Sequence, residues 1–272
     1  MTEELPEEPT EESPRVVVRS PIATLFAEPR VASAPISQLL AGRIAEVLEE
    51  RDDWLRIRGA DAYEGWIHRG YIERAREHAS GAETVTPPRL SLGCVTVTSA
   101  GARRRMPLGT LLTADEQVTA GAAIPASEQA LHFPTTAQAM IRSALTYFEG
   151  TSYVWGGVTP WGCDCSGLVQ SVYWLHGVQL RRDAWEQAGQ GVEGGGLLNA
   201  EAGDLLFFSD RVDRYITHVA IAMGSQRLVH LALGRGGFAV ESLGNADDPY
   251  VQKLRERFVT ARRLLELHPT RP

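Results

Sequence analysis

The residues best suited to chemistry in this chain are a cysteine and two later histidines. Cys165 lies in the segment Cys163-Asp164-Cys165-Ser166-Gly167, and His218 and His230 follow it. A thiolate is a strong nucleophile, and an imidazole can accept the thiol proton. The order Cys, His, His therefore predicts a cysteine hydrolase in which one histidine is the general base and the other orients it.

A helix is predicted to carry the cysteine. Apolar residues at 168, 169, 172 and 175 share one helical face, and Gly177 is a stop signal. Asp164 is a natural N-cap, which puts Cys165 in the first turn. Unpaired backbone N–H groups and the helix dipole favour an anion there, so we expect a lowered pKa for the Cys165 sulfur.

The two histidines fall on short apolar segments typical of buried strands. Residues 204–208, 218–223 and 228–232 all have this character. His218 opens the second segment and His230 lies inside the third. Antiparallel pairing would bring both imidazoles to one end of a sheet beneath the Cys165 helix.

Other interpretations remain open for these residues. A single cysteine is usually a small core residue, and a single strand histidine is usually structural. Cys163, Cys165, His218 and His230 also include four possible zinc ligands. Structural zinc sites usually space their cysteines by two to four residues, so a Cys-x-Cys pair at a helix start favours zinc less than nucleophilic chemistry.

Five successive segments resemble the motifs of the NlpC-like cysteine peptidases, a papain-like family that cuts peptidoglycan peptides. The resemblance covers about residues 133 to 265. The segments are Tyr153-Val154-Trp155-Gly156-Gly157, Asp164-Cys165-Ser166-Gly167-Leu168-Val169, Gly203-Asp204-Leu205-Leu206-Phe207-Phe208, His218-Val219-Ala220-Ile221 and Val229-His230.

The resemblance implies a catalytic role for four residues. Cys165 would be the nucleophile, His218 the general base and His230 the polar residue that orients the base. Tyr153 would lie near the oxyanion, beside the backbone N–H of Cys165. The alternative role for Tyr153 is an aromatic ring packed against the helix.

The same resemblance assigns Asp164, Ser166 and Asp183 to substrate binding. Asp183 belongs to Arg182-Asp183-Ala184-Trp185-Glu186-Gln187, which is similar to a cleft-lining segment of the family. Its structural alternative is a helix N-cap before Ala184. Cys163 is outside the usual pattern and is interpreted as a loop thiol.

Length and composition set broad limits. The chain has 272 residues, of which 43% are hydrophobic, so it can form more than one domain. No apolar run is long enough to span a membrane, and residues 1–6 lack the features of a signal peptide. Three cysteines argue against a disulfide framework. We therefore expect a cytoplasmic protein.

The net charge of −7 comes mostly from the first residues of the chain. Six glutamates between residues 3 and 12 leave 28 acidic against 27 basic residues elsewhere. Such a proline-spaced acidic segment is typical of a disordered tail. The nearly neutral remainder gives no support for nucleic-acid binding.

The sequence predicts an α+β protein with four parts. Residues 1–14 form the disordered acidic tail, 15–76 a first SH3-like barrel, 77–130 a degenerate second SH3-like barrel, and 131–272 the papain-like domain. Strand-like runs support the first barrel, and the last two of these runs resemble the end of a bacterial SH3-like domain. The runs are residues 15–18, 23–27, 45–50, 54–58 and 63–67.

Two SH3-like domains before an NlpC-like domain resemble cytoplasmic enzymes that recycle cell-wall peptides. The resemblance implies cleavage of the γ-D-glutamyl-L-diamino acid bond of free murein peptides, without metal or other cofactor. Glu28 and Tyr63 would capture the free amine of an N-terminal L-alanine. The alternatives are a hydrolase or amidase acting on intact peptidoglycan stem peptides, an acyltransfer reaction on the same thiolate, and a non-catalytic protein that binds wall fragments. Neither the preferred diamino acid nor the oligomeric state follows from the sequence.

Overall fold

A computed structural model describes residues 14–75, 87–245 and 247–264 of the chain. The predicted acidic tail lies outside the described residues except for Pro14. The predicted boundary between the two barrels, at residues 76 and 77, also lies outside them.

The first unit is a seven-stranded antiparallel sheet with strand order β3-β2-β6-β5-β4-β1-β7. Alternate residues of its strands point into one apolar core, which includes Val18, Leu25, Ile57 and Ile67. The period of two along each strand produces this core. The strands are β1 (Arg15–Val18), β2 (Ile22–Phe26), β3 (Pro35–Leu40), β4 (Ile44–Arg51), β5 (Trp54–Arg58), β6 (Glu64–His68) and β7 (Ile72–Arg74).

Two strands of this sheet were not predicted. β3 begins with a proline and carries Ser37 and Gln38, so its apolar pattern is weak. β7 has only three residues and follows a 3-10 turn at Arg69–Tyr71. Both lie at the ends of the strand order, where a strand pairs on one side only.

The second unit is a four-stranded sheet centred on a long strand. It contains β8 (Arg89–Val97), β9 (Arg103–Met106), β10 (Leu111–Leu112) and β11 (Gln117–Pro125). β8 pairs with each of the other three. Its small core joins Cys94, Met106 and Leu112 to Ala41 of the first unit. The interpretation of this unit as a degenerate SH3-like barrel stays a prediction.

The third unit packs helices against a six-stranded sheet of order β14-β19-β15-β16-β17-β18. The predicted strands at 204–208, 218–223 and 228–232 are confirmed as β15, β16 and β17, whereas β18 and β19 were not predicted. The α+β class is confirmed. The elements are α1 (Gln129–His132), α2 (Ala137–Phe148), β12 (Val158–Thr159), β13 (Gly162–Cys163), α3 (Cys165–Leu175), α4 (Ala184–Gln187), β14 (Val192–Glu193), β15 (Leu205–Phe208), β16 (His218–Gly224), β17 (Arg227–Ala232), β18 (Gly237–Ser242), α5 (Pro249–Arg257) and β19 (Phe258–Arg263).

The first and third units are joined by polar contacts beside α3. The Gln170 side-chain amide donates to Asp61 at 2.8 Å, and the Val158 N–H donates to the Gln38 side chain at 3.2 Å. Gly156, at φ +77°, lies against the β3 backbone, where an added Cβ would come within 3.1 Å of the carbonyl carbon of Ile36.

Among the helices in the described ranges, none has the length and apolar character needed to span a membrane.

Candidate active site

The start of α3 is fixed by its N-cap, as predicted. Asp164 accepts a hydrogen bond from the Gly167 N–H at 2.7 Å, and Cys165 is the first helical residue. Gly167 packs so closely that an added Cβ would lie 2.1 Å from the Gly157 carbonyl oxygen. The start of the helix therefore packs directly against the loop that precedes it.

A buried arginine anchors the N-cap. Arg182 is only 1% exposed and holds both Asp164 oxygens, at 2.7 and 3.1 Å. It also donates to Ser166 at 2.8 Å and to Ser37 of β3 at 3.0 Å. Asp164 and Ser166 line the cleft, but these internal bonds already engage their side chains. Their role in substrate binding stays a prediction.

The sulfur of Cys165 is more difficult to ionise than the sequence suggested. Burial, followed by the charge of Asp164, raises the pKa of Cys165 to about 12. The backbones of Val219 and Ser166 interact with the sulfur and oppose this rise, but they are the smaller influence. The expected drop in pKa is therefore wrong for the free protein, and the thiol needs a base that removes its proton during attack.

His218 and His230 meet as predicted from the antiparallel strands. The Nε2 atom of His218 lies 2.9 Å from the Nδ1 atom of His230, and the rings cross at 68°. His218 opens β16 directly before Val219, whose backbone interacts with the Cys165 sulfur. Burial, then the neighbouring His230 and Arg257, lower the pKa of His218 well below its ordinary value. A neutral imidazole is the form that can accept a proton.

Glu241 extends this pair of histidines and was missed by the sequence analysis. Its Oε1 atom lies 3.5 Å from the Nε2 atom of the fully buried His230, within ion-pair range though long for a hydrogen bond. Arg235 holds the same carboxylate at 2.7 and 2.9 Å. Although burial opposes ionisation of Glu241, the nearby His230 and the hydrogen bonds from Arg235 hold its pKa below the ordinary range. The sequence signal that could have indicated Glu241 was a charged residue in an otherwise apolar strand.

The candidate residues open into a cleft of about 790 Å³. Cys165, His218, Tyr153 and Asp183 all line it. Tyr153 is half-buried, and burial, followed by the adjacent Cys165, raises its pKa. Its hydroxyl therefore stays protonated and can donate a hydrogen bond. A separate cavity of about 330 Å³ between the three units contains none of these four residues.

One end of the cleft combines residues of the first and third units. Tyr63 and Ile36 of the first unit line it together with Asp183. Asp183 is the N-cap residue of α4 by position, but its side chain makes no capping bond. It interacts instead with the side chains of Trp185 and Tyr63, and burial raises its pKa. The alternative role of Asp183 as a capping side chain is wrong.

Glu28 does not reach this end of the cleft. It is exposed, pairs with Arg30 at 2.9 Å and is absent from the cleft lining. The carboxylate that the structure places beside Tyr63 is Asp183.

The described residues offer no ligand set for a metal. No three His, Cys, Asp or Glu residues within ranges 14–75, 87–245 and 247–264 are grouped so as to hold an ion. Cys163, interpreted from the sequence as a loop thiol, is instead fully buried in β13. The sequence interpretation was wrong because the two-residue strand has no recognisable pattern of its own.

Comparisons with known proteins agree with this architecture. Residues 150–261 match the model of the NlpC/P60 family, and residues 23–73 match the bacterial SH3 domain. A solved structure of an NlpC/P60 family protein from Bacillus cereus has a TM-score of 0.74 and 19% identity. It covers 92% of this chain, and this chain covers 99% of it. This likeness supports the fold.

Three curated relatives are similar in sequence. Dipeptidyl-peptidase 6 of Lysinibacillus sphaericus is 29% identical over 88% of this chain and 95% of its own length. Gamma-D-glutamyl-L-lysine dipeptidyl-peptidase of Bacillus subtilis is 26% identical over 80% of this chain and 78% of its own length. A probable endopeptidase of Haemophilus influenzae is 35% identical over 44% of this chain and 72% of its own length. Together with the cysteine and histidines gathered at the start of α3, these matches show that the chain belongs to the NlpC/P60 family of cysteine peptidases.

Proposed function

We propose that this protein hydrolyses the γ-D-glutamyl-L-diamino acid bond of free murein peptides that begin with L-alanine. The observation that carries the proposal is a cleft with Cys165 and the His218–His230 pair at its base and the Tyr63–Asp183 pair at one end. The similarity to the gamma-D-glutamyl-L-lysine dipeptidyl-peptidase of Bacillus subtilis supports a γ-D-glutamyl substrate. A cytoplasmic location belongs to the same proposal.

The first half of the reaction forms a thioester. The Cys165 sulfur attacks the γ-carbonyl carbon of D-glutamate while its proton passes to the free Nδ1 atom of neutral His218. The Cys165 N–H and the Tyr153 hydroxyl donate to the oxyanion that develops on the carbonyl oxygen. The amide C–N bond then breaks, and the His218 imidazolium gives its proton to the departing amine.

The second half releases the dipeptide. Water attacks the thioester carbon and transfers a proton to His218. The carbon–sulfur bond breaks, and His218 returns the proton to the Cys165 sulfur. The products are L-Ala-D-Glu and the diamino acid portion, and the enzyme is restored without any cofactor.

The Tyr63–Asp183 end of the cleft supports selection of a free N-terminus. A carboxylate with a neighbouring hydroxyl suits an ammonium group. The first unit forms the wall behind them, so a peptide whose alanine is still linked to sugar would meet protein instead of solvent. Asp183 thereby takes the part that the sequence resemblance gave to Glu28.

Mass spectrometry of L-Ala-γ-D-Glu-diaminopimelate, with and without N-acetylation, tests the function. We expect wild-type protein to release L-Ala-D-Glu from the free peptide only, and Cys165→Ala to release none. Cleavage of both peptides would favour a hydrolase of intact stem peptides. Binding without cleavage would favour the non-catalytic alternative.

Two carboxylate variants test the amine site. Asp183→Asn should reduce kcat/KM for the free peptide about tenfold or more, because a charge-assisted hydrogen bond contributes about 1.5–3 kcal/mol. Glu28→Gln is the matched control and should retain wild-type kinetics. The reverse result would restore the assignment made from the sequence.

A further inference from the structure

Two basic residues of α5 line the cleft without a use in the proposed mechanism. Lys253 and Arg257 lie four residues apart and therefore share one helical face. Leu254, between them in sequence, also lines the cleft and is buried. Both cationic side chains thus border the substrate space.

Neither cation is neutralised by its surroundings. In the part of the chain that the structure describes, no carboxylate forms an ion pair with Lys253 or Arg257. Other arginines of this unit are paired: Arg182 with Asp164, and Arg235 with Glu241. Like charges at a spacing of four residues slightly destabilise a helix. This arrangement leaves two positive charges available to an anionic ligand.

The chemistry of the reaction indicates which part of the substrate they meet. His218 must give its proton to the departing amine, so the leaving diamino acid lies on the imidazole side of the Cys165 sulfur. Arg257 lies on that side as well: it lines the cleft together with His218, and the ring of Tyr250 from the same helix lies edge-on to His230, with the ring centroids 6.1 Å apart. The carboxylate of Asp183 belongs instead to the end of the cleft formed with Tyr63.

We propose that Lys253 and Arg257 bind the carboxylates of the leaving diamino acid and thereby select a residue with a second, distal carboxylate over lysine. The inference rests on the proposed function. Diaminopimelate offers two carboxylates to the two cations. A lysine side chain carries an ammonium group at the distal position and no carboxylate there. The two cations therefore repel it, and no distal carboxylate offsets this repulsion.

Paired substrates test this selectivity. We would measure kcat/KM for L-Ala-γ-D-Glu-meso-diaminopimelate and L-Ala-γ-D-Glu-L-Lys with wild type, Lys253→Gln and Arg257→Gln. The wild type should prefer diaminopimelate, and each variant should lower the preference about three- to tenfold, as expected for a partly exposed ionic contact. The ratio of the two substrates cancels any effect of Arg257 on His218.

Arg255→Gln is the matched control, since Arg255 is an exposed cation of the same helix outside the cleft lining. It should leave the ratio unchanged. Equal use of both peptides by the wild type, or an unchanged ratio in both cleft variants, would overturn the inference while leaving the proposed function intact.

A binding measurement separates this inference from the proposed function. Calorimetry with Cys165→Ala compares the affinities for the same two peptides when no cleavage can occur. Selective binding that depends on Lys253 and Arg257, without cleavage by the wild type, would retain the inference and reject the function. Equal affinities would reject the inference.

Discussion

The positions of protons in the histidine pair follow from Glu241. Its carboxylate faces the Nε2 atom of His230 at 3.5 Å and favours a proton on that nitrogen, which leaves the Nδ1 atom of His230 as an acceptor. That atom then accepts from the Nε2–H of His218 at 2.9 Å. The Nδ1 atom of His218 is left with the lone pair that the Cys165 proton needs. We therefore predict that Glu241 is a positioning residue that acts through both histidines.

Glu241→Gln tests this arrangement. A neutral amide no longer favours a proton on His230 Nε2, so we expect about a tenfold loss in kcat, which corresponds to about 1.4 kcal/mol in the activation barrier. Nitrogen-15 spectra of the imidazoles should show Nε2–H tautomers of both histidines in the wild type and a mixture in the variant.

Asp248→Asn is the control for the Glu241 variant. Asp248 also pairs with Arg235, at 2.5 Å, and asparagine can keep its N-cap bond to Tyr250. The control should retain wild-type tautomers and kcat. Equal losses of kcat and of the wild-type tautomers in both variants would mean that the ion pairs of Arg235 affect the reaction only by stabilising the fold.

Alkylation by iodoacetamide tests the protonation state of Cys165. Because burial raises its pKa to about 12, the free protein should carry a thiol at neutral pH. The alkylation rate should therefore keep rising with pH beyond about 8.5, the pKa of an ordinary cysteine. Cys165→Ala gives the background from the buried Cys94 and Cys163. A plateau between pH 5 and 8 would instead reveal a thiolate–imidazolium pair in the free protein.

At the scale of the secondary-structure element, the start of α3 depends on a buried charge pair. Asp164→Asn keeps a capping oxygen but leaves Arg182 without its carboxylate. We expect a loss of about 3–5 kcal/mol in the free energy of unfolding, because an unpaired buried charge is strongly destabilising.

Urea unfolding of a second variant supplies the comparison. Asp213→Asn breaks an exposed ion pair with Arg211 and should leave the free energy of unfolding almost unchanged, because solvent screens the pair. Similar losses in the two variants would show that the Asp164–Arg182 pair contributes no more than a surface contact.

Elements with a strong local pattern were predictable from the sequence. The helix α3, its Asp164 cap and the strands that carry His218 and His230 have clear apolar periods and turn signals. β3 and β7 do not, because pairing with distant strands stabilises them. The partner of Tyr63 also depends on tertiary packing: Asp183 lies about 120 residues later in the chain. Glu241 carried a signal only as a charged residue in an apolar strand.

At the scale of the whole molecule, the first barrel contributes directly to the cleft. The Ser37 hydroxyl accepts a hydrogen bond from Arg182, and Asp61 accepts one from Gln170. The barrel is therefore attached both to α3 and to the arginine that anchors the start of α3. Tyr63, directly before β6, lines the cleft beside Asp183. In the proposed function, substrate selection is therefore shared between two units that are separate in sequence.

Tyr63→Phe tests whether the barrel takes part in recognition. Removing the hydroxyl keeps the ring but takes one hydrogen-bonding partner from the ammonium site, so KM for the free peptide should rise about three- to tenfold with little change in kcat. A desamino peptide, in which propionyl replaces alanyl, lacks the ammonium group and should give the same kcat/KM with variant and wild type. Tyr71→Phe is the control, because Tyr71 packs against the same barrel core outside the cleft lining. If Tyr63→Phe slows both peptides equally, the role of Tyr63 is only to form the cleft wall. Asp183 would then bind the ammonium group without help from Tyr63.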